Sequence, residues 1–116
     1  MERLTNATKL TIFVGGDARR DHRPLYQVVV DILLEHHVAG VTVTKGAMSY
    51  GGRRMIHSAQ NEITMTNLPI IVEAVDRNER IATAAEQIAT VIGEHGLTQI
   101  QPTMIVTRGS EKRSEG

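Results

Sequence analysis

The sequence predicts an α+β fold of βαββαβ order. Three observations carry the prediction. Short runs of alternating or β-branched residues mark strands, two longer runs repeat apolar residues at helical spacing, and the order is strand, helix, strand, strand, helix, strand. Short crossovers and their right-handed preference leave few arrangements other than a four-stranded antiparallel sheet with both helices on one face, the ferredoxin-like plan.

Each element has its own justification. The run KLTIFVGG (Lys9–Gly16) alternates polar and apolar residues and stops at paired glycines, a strand and a turn. DARRDHR reads as a charged loop, with Asp17 and Asp21 beside Arg19, Arg20 and Arg23 as a solvated cluster. Pro24 suits the first turn of a helix whose apolar face is Leu25, Val28, Val29, Ile32 and Leu33. His36 and His37 close it near its negative end, and Gly40 lies just beyond. Gly40–Met48 is the second strand and Leu68–Asp76 the third, with Pro69 acceptable at an edge. Asp76 or Asn78 caps the second helix, and Glu79 is placed as a box partner. Ile81, Ala84, Ala85, Ile88, Val91 and Ile92 share one face of that helix, which Gly93 and Gly96 end. The last strand falls around Pro102–Thr107. Residues 1–8 and 109–116 read as flexible ends. The halves echo one another in VTKG (Val43–Gly46) and VTRG (Val106–Gly109).

At 116 residues the chain is a single domain of ordinary size. Apolar residues make up 41% and aromatics only 3%, so the core is aliphatic. Thirteen basic and thirteen acidic residues cancel, which argues against nucleic acid as a partner. Without cysteine there is neither a disulfide nor thiolate chemistry. No apolar run approaches a membrane span of ~20 residues, so no membrane insertion is expected and a soluble cytoplasmic protein is the simplest reading. With both helices on one face, the other face must be covered. Val41, Val43, Ile70, Ile71 and Val72 are apolar in both phases, which predicts a homo-oligomer packed through these faces.

The link between the second and third strands, residues 49–67, is on the order of 15–20 residues, far beyond hairpin norms. It begins SYGGRR (Ser49–Arg54). Glycines let backbone N–H groups approach an anion closely, and adjacent arginines supply forked donors suited to phosphate. Tyr50 can stack on a base or anchor the loop. Taken alone, Gly-Gly-Arg is no specific motif, and a solvated loop outweighs a phosphate site.

The segments KLTIFVGGD, RPLYQVVVDILLEHHVAGVTVTKGAMSYG, IHS and LPIIVEAVDRNERI, in this order over residues 9–81, resemble the PII-like signalling proteins, in the branch called domain of unknown function 190. The most specific part is AGVTVTKGAMSYG followed by LPIIVE. The resemblance implies a homotrimer built on packed sheets and a long effector loop between strands two and three. It also implies small effectors, commonly adenine nucleotides, bound in clefts between subunits near the loop base. Ligand binding would change the loop's conformation and so control a target protein, such as a transporter or metabolic enzyme. By matching position, Gly46, Tyr50, Gly51, Gly52, Arg53 and Arg54 would bind ligand, with Arg108 as a weaker phosphate contact across the interface. Met55, His57 and Met65 would belong to the partner-binding part of the loop. One departure matters: where PII proteins carry a second glycine- and lysine-bearing phosphate loop, this chain has HGLTQIQPTM, with no lysine. A triphosphate held in the PII manner is therefore in doubt. A monophosphate, a cyclic nucleotide, another anion or no nucleotide stay open.

No catalytic constellation is visible. His36 and His37 are adjacent and diverge on a helix, His22 and His95 sit at helix edges, and no signature ties Ser49 or Ser58 to a base. No metal triad or Walker-type loop is present. The chain is expected not to be an enzyme. The alternative is a small enzyme or ligand-storage module using the same intersubunit cleft, since the fold hosts both.

Overall fold

The structure, a computed structural model, describes residues 2–46 and 68–108. Its elements are β1 (Glu2–Val14), a small hairpin of β2 (Arg19–Arg20) and β3 (Arg23–Pro24), α1 (Leu25–Glu35), β4 (Val41–Lys45), β5 (Ile70–Asp76), α2 (Asn78–Ile92), a 3-10 turn (Gly93–His95) and β6 (Gly96–Arg108). The sheet has the order β4-β5-β1-β6, with all neighbours antiparallel. This is the ferredoxin-like architecture expected.

One aliphatic core joins sheet and helices. Leu10, Ile12 and Val14 of β1 alternate inward and meet Ile70, Val72 and Ala74 of β5. Above them lie Leu25, Val29, Ile32 and Leu33 of α1 and Ile81, Ala84, Ile88 and Ile92 of α2. Each such burial of a large aliphatic side chain contributes about 1.5–3 kcal/mol. The helical spacing read from the sequence thus corresponds to the buried faces, with Val28, Ala85 and Val91 partly buried beside them.

The helix ends fall where expected, except at the start of α2. α1 stops at His36, and His37 takes the left-handed conformation at φ 60. The N–H of His37 donates to the Leu34 carbonyl and that of Val38 to the Leu33 carbonyl, a Schellman closure made at the expected histidines without a glycine. Val38 is buried, so the chain must turn inward there. α2 is flanked by Arg77 rather than Asp76 or Asn78, without a side-chain cap. Gly93, at φ 55, ends it as expected.

Both long strands exceed their predicted lengths. Residues 2–8, expected to be flexible, are the first part of β1, because Glu2–Ala7 find partners in Thr103–Arg108 of β6. β5 reaches only Thr8–Val14, so the first residues of β1 and the last of β6 continue as a two-stranded arm, and the molecule measures 56 × 26 × 21 Å. The face away from the helices also needs correction. Val41 and Val43 pair with Ala74 and Val72, and so stand on the helix side with Ile70. The uncovered face instead carries Lys9, Thr11, Phe13, Ile71, Glu73 and Val75, with Lys9 Nζ 3.4 Å from Glu73 Oε2. It is mixed rather than apolar.

Candidate functional site

Strand directions bring three connections to one end of the sheet. β1 ends there at Val14, opposite Ile70 of β5 and Gly96 of β6, and Lys45 of β4 also pairs with Ile70. The β2–β3 hairpin, both stumps of the long loop and the turn into β6 therefore share that end.

The loop base is closed by a short clasp. Gly46 N–H donates to the Pro69 carbonyl at 2.7 Å, one step beyond the Lys45–Ile70 pair. A Cβ on Gly46 would lie 3.2 Å from Pro69 Cγ and 3.5 Å from the Pro69 oxygen, so glycine permits this approach. Gly46, singled out from sequence, thus stands at the neck of the loop. Tyr50, Gly51, Gly52, Arg53, Arg54, Met55, His57 and Met65 lie outside the described residues. Arg108 is placed elsewhere: it pairs with Glu2 at the tip of the arm. Twelve residues of strand separate that row from Val14, roughly 40 Å at ~3.3 Å per residue. Within one subunit Gly46 and Arg108 do not meet, and only a second copy could bring them together.

Two surface features were not found from sequence. The helix-side row of β6, Thr98, Ile100, Pro102, Met104 and Val106, forms one stripe along an edge strand. Ile100, Met104 and Val106 are exposed, as is Leu4 opposite Val106. The stripe runs into a groove of about 620 Å³ between β6 and α2, floored by Ala82, Ala85 and Ala89. The second feature is the hairpin with Arg19, Arg20 and Arg23. Its signal was present as two residues, Asp21 and His22, between arginines, a hairpin-turn length rather than a loop.

At the far end of β5, Asp76 ties two junctions together. Its Oδ2 accepts the Ala39 N–H at 2.8 Å, its Oδ1 accepts the Arg77 N–H at 2.6 Å, and Arg80 Nη1 lies 3.5 Å from Oδ2. Burial alone would raise its pKa. The two backbone donors and the Arg80 guanidinium outweigh that, and the carboxyl ionises below its ordinary value. Nearby, the buried Thr8 hydroxyl donates to Asn78 Oδ1 at 3.0 Å. These contacts fix the start of β4 and of α2 and are structural. Among the described residues, no group of three or more His, Asp or Glu side chains is placed to hold a metal ion, and no helix is long and apolar enough to cross a membrane.

A βαββαβ sheet with a pinched-off excursion between its second and third long strands is the PII-like variant of the ferredoxin-like fold. The profile of the DUF190 family, described as uncharacterized ACR, matches residues 7–105, and the chain belongs to that family. A UPF0166 protein of Aquifex aeolicus is 26% identical over 105 residues, covering 90% of this chain and 97% of its own. A UPF0166 protein of Methanocaldococcus jannaschii is 29% identical over 94 residues, covering 81% and 86%. Among solved structures the fold is similar to apo CPII, a nitrogen regulatory PII-like protein from Thiomonas intermedia, with a TM-score of 0.66 at 15% identity over 93% of this chain and 100% of that one. CPII bound to ADP, AMP and bicarbonate aligns with a TM-score of 0.65 at 17% identity, over 89% and 91%. A PII-like signaling protein from Thermus thermophilus aligns at 0.57 and 15% identity, over 90% and 91%.

Proposed function

We propose that this chain is a regulatory, non-catalytic PII-like homotrimer of the cytoplasm. It senses a small anionic ligand, an adenine nucleotide, in clefts between subunits, and controls a partner protein through the loop between β4 and β5. The observation that carries this reading is the Gly46–Pro69 clasp, which joins the two strand ends between which the sequence places its glycine- and arginine-bearing segment. The ADP- and AMP-bound state of CPII, a protein of the same fold, supports the ligand class. The trimer is supported by the exposed stripe on β6, because a long edge strand with apolar side chains favours a second chain against it. Ligand contacts at the neck would favour one loop posture, and the partner would read it.

Thermal shift against ATP, ADP, AMP and cyclic nucleotides tests the reading. A true effector at 100 times its Kd stabilises by about 2.7 kcal/mol. The expected result is a raised Tm for one of these ligands, lost in Arg53→Ala while the oligomer persists. Deleting residues 55–64 should abolish capture of the partner and leave the fold intact. If no nucleotide shifts the Tm while a phosphorylated substrate is turned over, the chain is a small enzyme instead.

A further inference from the structure

The hairpin between β1 and α1 combines several locally unfavourable features within a few residues. Asp21 and His22 at its tip have φ values of 52 and 70, left-handed conformations that glycine and asparagine adopt most readily. Arg20 and Arg23 are direct cross-strand partners, so two cations stand opposite each other on one face of the ribbon. Arg23 is partly neutralised by Asp31, at 2.7 Å. Arg19 and Arg20 have no ion pair or side-chain hydrogen bond among the described residues.

These features do not belong to a loose solvent loop. The Ala18 N–H donates to the Gly15 carbonyl and the Leu25 N–H to the Ala18 carbonyl, while Ala18 packs against the core. The ribbon is therefore bolted to the start of α1, and its like charges are held together by a rigid support. Left-handed residues and like charges held together by a rigid support are local exceptions of the kind that cluster at binding sites, and the one compensation within the chain, Asp31 on Arg23, leaves Arg20 unanswered among the described residues. An anion bridging two guanidinium forks removes the repulsion and satisfies their donors.

We infer that the Arg20–Arg23 face of this hairpin is an anion clamp for a phosphate group. It stands independently of the ligand reading for the long loop, although it lies at the same end of the sheet. The phosphate is carried either by a nucleotide or by a free inorganic phosphate or pyrophosphate.

Isothermal titration of the full chain with pyrophosphate, ATP, AMP and adenosine tests this, with Arg20→Gln, Arg20→Lys and Arg19→Gln as variants. Arg19 pairs with Pro24 and stands on the opposite face of the ribbon, so it serves as the charge-matched control. The expected result is binding of pyrophosphate but not adenosine. Arg20→Gln should weaken it by about tenfold or more, Arg20→Lys by less, and Arg19→Gln by only a small factor. Unchanged melting curves will show that the variants fold. Competition between pyrophosphate and ATP assigns the clamp to a nucleotide's phosphates, and independent binding assigns it to a free anion. The inference is overturned if pyrophosphate does not bind, or if Arg19→Gln and Arg20→Gln weaken it equally. Because Arg53→Ala probes the loop and Arg20→Gln the hairpin, failure of one reading is separable from failure of the other.

Discussion

β4 forms one edge of the sheet with five residues reading Val-Thr-Val-Thr-Lys, while β6 forms the other with thirteen. β4 is short, carries threonines toward the uncovered face and ends in a lysine, all devices that discourage another strand from pairing. β6 is more than twice as long and exposes Leu97, Ile100, Met104 and Val106. It also contains Pro102, which an edge tolerates and a central strand does not. One edge is guarded and the other is open. The lesson is that association through strand pairing has one available side, which gives an assembly of these subunits a direction.

The largest effect is expected from a charge on the open edge. Val106→Asp, opposite Leu4 on the arm, should convert the proposed trimer to monomer in light scattering, since an unpaired buried charge costs about 3–5 kcal/mol. A trimer that survives Val106→Asp would place the interface elsewhere. Next comes the clamp at the start of the guarded edge. Asp76→Ala leaves the Ala39 and Arg77 N–H groups without their acceptor and should lower stability to urea by about 2–3 kcal/mol, with faster amide exchange in β4 than in β6.

The same carboxylate gives a smaller, pH-dependent version. Its folded pKa lies below the ordinary value of 3.8, so the unfolded chain binds the proton more readily. The stabilisation is complete above the unfolded pKa and is lost as pH falls through the folded one. Acid titration of the urea midpoint should show wild type losing this increment below about pH 4, and Asp76→Asn lacking that segment of the curve. His37→Gly should raise stability by about 1 kcal/mol, because it removes a left-handed non-glycine residue from the turn leading into β4. Smallest of all, Thr44→Lys on the guarded edge should shift stability by no more than about 0.5 kcal/mol and leave assembly unchanged, a direct contrast with Val106→Asp.

The core was legible because period is a strong signal. Leu25, Val29, Ile32 and Leu33, and Ile81, Ala84, Ile88 and Ile92, needed only helical spacing to be found. Only the β6 half of the arm was legible, as the last strand around Pro102–Thr107; Arg3–Asn6 of β1 reach past β5 and are exposed, so burial imposes no alternation there. Gln99 and Gln101 likewise disguised the first half of β6. The stop of α1 at His36 and His37 was legible from the end of its apolar spacing, but the left-handed turn at His37, set by the inward pull on Val38, was not, because no glycine marks it. At the loop neck Gly46 was legible, but the partner it packs closely against, Pro69, comes from a distant part of the chain and no local pattern announces it.

The hydrogen bond from Gly46 to Pro69 acts as a fixed socket. Whatever sequence is plugged between them, the sheet below meets the same two ends at the same spacing. Doubling such an insert adds only about 0.6 kcal/mol of closure entropy. A change in the length or chemistry of that cassette therefore leaves the aliphatic scaffold with almost no penalty.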